Sequence, residues 1–529
     1  MLSTLSVYGS HDASVTFIGK DGKIKVLEYE RFVNRRYSAF KRGLPQVLES
    51  GLGSNDSERA AFFTYIQENT KEPIDLVIYN ELDQSDIDLI GEYFPKAEFK
   101  KMEHHRSHAA CGYFQSGFDK AITLSIDGGG MDYDGVTMTK AYLCEGDSVD
   151  DIQKYSINFG TAYGRIGMPI SEIKPGPDSE IDSLVYAGKV MGLCAYGKVR
   201  EEWVEPMIEY YKSSAQSLDI DKLGRQIGLS LTFNSLEGMN SYDLAATSQF
   251  VFEKLVHELL TPLLETYKEH DVVLVGGCAL NVLYNQKLYE ELNKQGRKLY
   301  VPPNPNDCGL SIGQFLLHHP HVPEDLHYSG WELLDYSKLE VYVKERNARK
   351  IETPEIVTLL KRGKLIGVVG GCSEVGPRAL GNRSIICDPS FPDMKDTLNS
   401  KVKFREWYRP FAPVARLENA SEYFNDVFES KYMSFAPTVK AEYEEELSAI
   451  THIDKTSRLQ TVTREQHERF YDILKELENQ GHVSVILNTS FNILGNPILT
   501  KISDALHVLD NTELDYVIVD DYIFGNSNE

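Results

Sequence analysis

The sequence predicts an α/β fold in two domains, on three observations. Short apolar stretches run straight into glycine clusters, residues 121–126 before Asp127-Gly128-Gly129-Gly130 and residues 272–275 before Gly276-Gly277. A helical pattern lies between them, with Phe252, Leu255, Val256, Leu259, Leu260 and Leu263 on one face. A polar, charge-rich stretch at 320–349, opened by two prolines, precedes a second series of strand and helix patterns. The domains are therefore expected at 1–345 and 346–529.

Taken in order, residues 13–19 and 23–30 read as a hairpin around the turn Lys20-Asp21-Gly22. Residues 75–79 form a further strand pattern. Pro262 sits inside the helical stretch and is expected to kink or end it. In the second domain, 356–362 reads as a short helix, and 365–369, 384–387, 483–487 and 516–519 as strands. Glycines at strand ends in such a fold put a ligand site at the loop tips.

The composition, 42% hydrophobic and 25% charged over 529 residues, suits a globular chain with a sizeable core. No apolar window has the length of a membrane span, and no secretory leader pattern is visible. Seven scattered cysteines without a CxxC pair fit a reducing cytoplasm better than a disulfide framework or a zinc site. The net charge is 55 − 79 = −24, which repels a phosphate polymer and disfavours nucleic-acid binding by bulk charge.

Several motifs carry chemistry. His104 and His108 lie four apart in a helical segment, which puts both imidazoles on one face as a metal site requires. Core histidines meet the same spacing. Asp127 and Asp307 would complete a mixed donor set suited to a divalent first-row metal. The backbone at Gly128-Gly129 and at Gly276-Gly277, with Asn281 following, suggests close approach to phosphate and nucleotide; tight turns explain such glycines equally. His11 beside Asp12 is a candidate proton acceptor, or a turn with an incidental histidine.

In the second domain, residues 376–413 hold seven Lys or Arg against four Asp or Glu, a local charge of +3 in an acidic chain. Glycine, proline and aromatic residues interleave with Arg378, Lys403 and Arg409, which argues for a shaped anion cradle. Arg458, Asn488 and Ser490 lie further on and would add charge, amide and hydroxyl contacts.

The stretches GPRALGNRS, KVKFREWYRPFAP and NTSFN, with HDAS near the start, resemble the NodU/CmcH O-carbamoyltransferase family nearly end to end. The resemblance implies an actin-like ATPase (ASKHA) domain, of the type that makes threonylcarbamoyladenosine in tRNA, fused to a YrdC-like α/β domain. It implies that ATP with Mg2+ and carbamoyl phosphate give carbamoyl adenylate in the C-terminal domain. The carbamoyl group would then pass to a hydroxyl of a small-molecule, sugar or modified-nucleotide acceptor in the N-terminal domain. By position, Arg378, Lys403, Arg409 and Arg458 match the cations, and Asn488 and Ser490 their polar partners. His104, His108, Asp127 and Asp307 match ligands of a divalent metal, with Fe2+ the expected ion. Gly276, Gly277 and Asn281 match the nucleotide loop, and His11 a residue near the acceptor, where it is expected to be the base that activates the hydroxyl. A homodimer is left open. The alternatives are tRNA threonylcarbamoylation and a nucleotide-binding switch without turnover.

Overall fold

The computed structural model describes residues 2–40, 53–173, 182–213, 217–321, 325–492 and 495–525. The chain divides into two compact units, Met1–Leu326 and His327–Glu529. Among the described residues no helix is long and apolar enough to cross a membrane. All seven cysteines are free thiols.

The first unit repeats one sheet plan. Strands β1 (Thr4–Tyr8), β2 (Ser14–Ile18) and β3 (Ile24–Glu28) form an antiparallel meander. Strands β4 (Leu76–Asn80) and β5 (Glu98–Lys101) join the other side of β1 in parallel, giving the order β3-β2-β1-β4-β5. The second sheet does the same with β6 (Lys120–Asp132), β7 (Gly135–Glu145), β8 (Ser148–Tyr155), β9 (Asp271–Val275) and β10 (Leu299–Tyr300), in the order β10-β9-β6-β7-β8. In both sheets the central strand pairs in parallel with the next strand outward, β1 with β4 and β6 with β9.

Two helices pack between these sheets. Helix His104–Ser116 lays Ala109, Ala110 and Tyr113 on Ala121, Tyr142, Val273 and Val275 of the second sheet. Helix Leu310–Leu316 meets the first sheet, where the Ser311 hydroxyl bonds to Ser14 at 2.9 Å. A side chain at Gly313 would come within 1.7 Å of the Ser107 carbonyl oxygen, so glycine lets the two helices touch.

Two expectations change in this unit. Helix Met239–Thr266 continues one turn past Pro262 rather than ending there, although the proline withholds an amide donor. The glycines after Asp127 are not a loop beyond a strand. β6 runs through them to Asp132, with its pairing to β7 slipping between Ile126 and Gly130 as a bulge.

The second unit is built on one mixed sheet with the order β11-β18-β17-β12-β13-β16-β14-β15. Its strands are β11 (Arg349–Lys350), β12 (Ile366–Val369), β13 (Arg383–Cys387), β14 (Ala412–Arg416), β15 (Gln460–Val462), β16 (Val485–Ser490), β17 (Tyr516–Val519) and β18 (Tyr522–Gly525). Alternate residues feed two cores, as the two-residue period of a strand dictates. Ile385, Cys387, Val485, Leu487, Val517 and Val519 join one core with helix Ile502–Asn511. Ile386, Ile486 and Ile518 join the other, with helices Thr353–Leu360 and Glu468–Asn479. Strands β12 and β17, at the centre of the sheet, are buried on both faces and carry no charged residue.

The boundary between units falls at Leu326/His327 rather than at 345/346. The stretch read as a connector is anchored by its few apolar residues. Leu333 and Leu339 enter the second unit's core, and Asp335 accepts the Ile502 and Ser503 backbone N–H groups at 2.6 and 3.0 Å.

Candidate active site

The first unit gathers most of its expected site residues at one place. His104 opens its helix and His108 follows one turn later, both fully buried. Asp127 comes from the β6 bulge and Asp307 from the turn before helix Leu310–Leu316. His108 Nε2 lies 2.9 Å from Asp127 Oδ2 and 3.2 Å from Asp307 Oδ1. His104 Nε2 lies 3.5 and 3.7 Å from the same oxygens. One ligand atom from each of the four residues lies within 4.8 Å of the others, an arrangement that could hold a metal ion.

The electrostatics favour a cation there. Burial alone would lower both histidines, yet Asp307, Asp127 and Glu81 hold His104 well above the ordinary imidazole range, and Asp127 and Asp307 raise His108. Burial would raise Asp127, but His104 and His108 hold it well below the usual carboxylate range. His11 reaches the same centre, with Nε2 3.4 Å from Asp307 Oδ2. Its Nδ1 is 3.5 Å from Asp12, which stands at φ +60° and accepts from Asn306 at 3.3 Å. Burial lowers His11, and Asp307 and Asp12 outweigh that to bring it to about 10.

Glycines let the backbone close around Asp127. A Cβ on Gly130 would stand 2.1 Å from the His104 ring, and one on Gly276, at φ +85°, 2.2 Å from the Ile126 carbonyl oxygen. Gly277 faces Asp127 Oδ1, and the Gly128 carbonyl accepts from Thr161 at 3.0 Å. Gly129, at φ +129°, completes the bulge. Asn281 is placed differently. It caps helix Val282–Lys294 and exchanges two amide hydrogen bonds with Gln249, at 2.9 and 3.0 Å. Sequence reasoning did not single out Gln249, Tyr8 or Glu81. Tyr8 donates to Asp307 at 2.5 Å, and Glu81 meets His104 at 3.2 Å.

The second unit builds a separate basic cluster. Burial pushes the Arg458 guanidinium well below its ordinary value, and Arg378 and Arg409 push it further. Arg405, which lies in the quoted motif but was given no role there, is lowered by burial, then by Arg409 and Arg458. The loop carrying Arg378 is wound around Glu374, whose Oε1 accepts the N–H groups of Leu380, Gly381, Asn382 and Arg383 at 2.7, 2.8, 2.8 and 3.2 Å. The buried Arg383 donates to the carbonyls of Gly370, Gly371, Asn382 and Trp331.

Lys403 is engaged at the end of β16. Its Nζ donates to the Ser490 carbonyl at 2.7 Å, the Asn492 carbonyl at 2.9 Å, Ser490 Oγ and Asn492 Oδ1. Asn488 donates to Ala379 and Gln460 at 3.0 and 2.9 Å, which joins β16 to the Arg378 loop.

Models of the carbamoyltransferase N-terminus and C-terminus match residues 91–316 and 357–526. The nodulation protein NolO of Bradyrhizobium diazoefficiens is 30% identical over 453 residues, covering 80% of this chain and 78% of that one. Nodulation protein U of Sinorhizobium fredii is 27% identical, covering 75% of this chain and 73% of that one. An uncharacterized protein of Methanocaldococcus jannaschii is 26% identical, covering 98% of this chain and 99% of that one. Full-length HypF in its phosphate- and nucleotide-bound form has a TM-score of 0.35 at 17% identity, covering 61% of this chain and 56% of that one, too distant to carry an argument. With both halves matched and NolO alike across most of its length, the chain is an enzyme of the carbamoyltransferase family, alongside the nodulation proteins NolO and U.

Proposed function

We propose that the protein is an ATP-dependent O-carbamoyltransferase with two half-reactions, one in each unit. The observation that carries the first is the arginine cluster of Arg378, Arg405, Arg409 and Arg458. Guanidiniums that depress one another's proton affinity are stabilised by negative charge among them, as Glu406 supplies beside Arg409 at 3.5 Å and as bound phosphoryl oxygens would. Carbamoyl phosphate and the ATP triphosphate, with Mg2+, are anions that must meet for the chemistry to proceed. Water and carbamoyl phosphate give carbamate and phosphate. A carbamate oxygen then attacks the α-phosphorus of ATP, and pyrophosphate leaves with the electron pair of the broken P–O bond. The product is carbamoyl adenylate. Arg378, Arg409 and Arg458 bind the phosphoryl oxygens, while Lys403, Ser490 and Asn488 shape the wall beside them.

The second half-reaction belongs to the first unit, which we read as the actin-like domain because one five-strand plan occurs twice in it. The second unit is read as YrdC-like on its motifs. In the first unit, His11 takes the proton of the acceptor hydroxyl, whose oxygen attacks the carbamoyl carbon, and AMP leaves. Positive charge held by Asp307 would oppose the rise in His11 basicity and keep the imidazole free to accept a proton. Gly128, Gly129, Gly276 and Gly277 let backbone N–H groups approach the adenylate phosphate, with Asn281 and Asp12 holding the loops. A divalent metal held by His104, His108, Asp127 and Asp307, with Fe2+ the expected ion, supplies Lewis acidity toward that phosphate when bound. A sugar, another small molecule or a modified nucleotide bearing a hydroxyl fits this chemistry as acceptor.

The test is incubation with ATP, Mg2+ and carbamoyl phosphate without acceptor, followed by mass spectrometry. Carbamoyl adenylate, or pyrophosphate released only when carbamoyl phosphate is present, is the expected result. Arg378→Ala should reduce that release at least about 100-fold, the scale of losing a charged contact to a developing anion. Undiminished release in the variant would remove the arginine cluster from the reaction.

A further inference from the structure

We propose that Glu81 is a positioning residue of the His104–His108–Asp127–Asp307 centre, one that fixes His104 with Nε2 facing the metal and ties it to the hairpin at Met131. The proposal rests on reading that centre as a metal site. Three of the four ligand side chains follow one pattern, in which one polar atom turns inward and another is held by the protein. Asp127 Oδ1 accepts the Gly128 N–H at 2.6 Å, leaving Oδ2 beside His108. Asp307 Oδ2 accepts the Tyr8 hydroxyl at 2.5 Å, leaving Oδ1 beside His108. For His104, the atom held is Nδ1, 3.2 Å from Glu81 Oε1.

Carboxylates face both ring nitrogens, Glu81 at Nδ1 and Asp127 and Asp307 at Nε2, so with a cation bound at Nε2 the Glu81 contact decides the tautomer. A carboxylate only accepts, so the single proton of a neutral His104 sits on Nδ1, and the lone pair is left on Nε2. The opposite tautomer would set a lone pair against the carboxylate and a proton against the incoming cation. Negative charge at Nδ1 also makes Nε2 a stronger donor, the usual effect of a carboxylate behind a metal-binding histidine.

Glu81 is itself held in place. It follows β4 at φ +54°, a conformation that non-glycine residues rarely adopt, immediately after Asn80. The same Oε1 accepts the Met131 N–H at 3.2 Å, and Asn80 Nδ2 donates to the Met131 carbonyl at 3.1 Å. Both backbone polar groups of Met131 are therefore gripped by the end of β4. Met131 stands near the tip of the β6–β7 hairpin, on the strand that supplies Asp127. Glu81 thus links two sources of ligands, the His104 helix and the bulged strand.

The experiment is titration of metal-free full-length protein with Co(II) against a competing chelator, read by ligand-field absorption. Wild-type protein is expected to take up one equivalent. Glu81→Ala should bind about 10–100-fold more weakly with an altered ligand-field spectrum, while circular dichroism and the thermal midpoint show it folded. Glu81→Gln keeps the shape and an acceptor oxygen but loses the charge, and should fall between the two. Wild-type affinity and spectrum in folded Glu81→Ala would overturn the proposal. If that variant does not fold, the same result in Glu81→Gln would do so. Wild-type protein that takes up no cobalt would instead overturn the metal reading, and the proposal with it.

Discussion

At the scale of single residues, the second unit gives similar side chains different surroundings. Arg378 and Arg383 stand in one motif and look equivalent in sequence. Only the structure shows Arg383 buried and spent on four carbonyls, and Glu374 collecting four amides. His467 makes a testable case nearby. Burial, chiefly, lowers it to about 4; its Nδ1 accepts the Phe470 N–H at 3.1 Å, and its ring lies against Gly381. A histidine whose folded pKa is depressed costs nothing above its unfolded value near 6.5 and loses stability as pH falls toward the folded value. Between about pH 7 and about pH 4 the wild-type protein should lose on the order of 3 kcal/mol that His467→Asn, which retains a helix-capping acceptor, does not lose. Denaturation across that range checks it, and equal losses in both proteins would show that His467 does not titrate in the buried state. Nothing in the sequence around His467 distinguished it, because Phe470 is local but the Gly381 backbone that closes over its Nε2 comes from a distant loop.

At the scale of elements, the β6 bulge is where sequence reading came closest and still misplaced the backbone. Asp127 and its glycines were legible as a candidate site because an apolar strand ran into them. The continuation of the strand to Asp132 was not, since three glycines carry no alternation of apolar and polar side chains. What those glycines allow is contact. Gly130 leaves room for the His104 ring, and Gly276 for the Ile126 backbone. Gly130→Ala would place a methyl group inside that ring, so His104 must move off Asp127. The expected result is loss of stoichiometric metal together with carbamoyl transfer, while release of pyrophosphate dependent on carbamoyl phosphate stays within about twofold of wild type. Metal analysis by mass spectrometry beside the two assays reads this directly. Retained metal with lost transfer would show that the glycine serves the acceptor or the adenylate rather than His104. Glu81 and Tyr8 escaped the sequence reading for a related reason. Each lies at the end of a short parallel strand in the first sheet and meets its partner only through the tertiary fold.

At the scale of the whole molecule, the α/β class and the two-domain plan were legible from strand-to-glycine transitions and from the change of pattern near 320–349. The boundary was displaced because a charged stretch was weighed by composition, whereas a few apolar anchors such as Leu333 and Leu339 decide which core it joins. The chain carries −24 overall, yet each unit gathers a different set of charged groups: arginines in the second, carboxylates and imidazoles in the first. If these are two half-reaction sites, removing one set of groups should leave the other step running. Replacing His104 and His108 together with alanine should abolish carbamoyl transfer to acceptor while carbamoyl adenylate still forms, and hydrolyses, at close to the wild-type rate. Arg378→Ala should do the reverse, blocking adenylate formation yet transferring the carbamoyl group when carbamoyl adenylate is supplied from outside. Both variants are measured with the two assays side by side, after thermal unfolding confirms that each is folded. Complementary losses would establish that the intermediate is made in one unit and used in the other. Loss of both steps in a folded double-histidine variant would mean that the first unit is needed to make the adenylate as well, and the division of labour between the two halves would have to be abandoned.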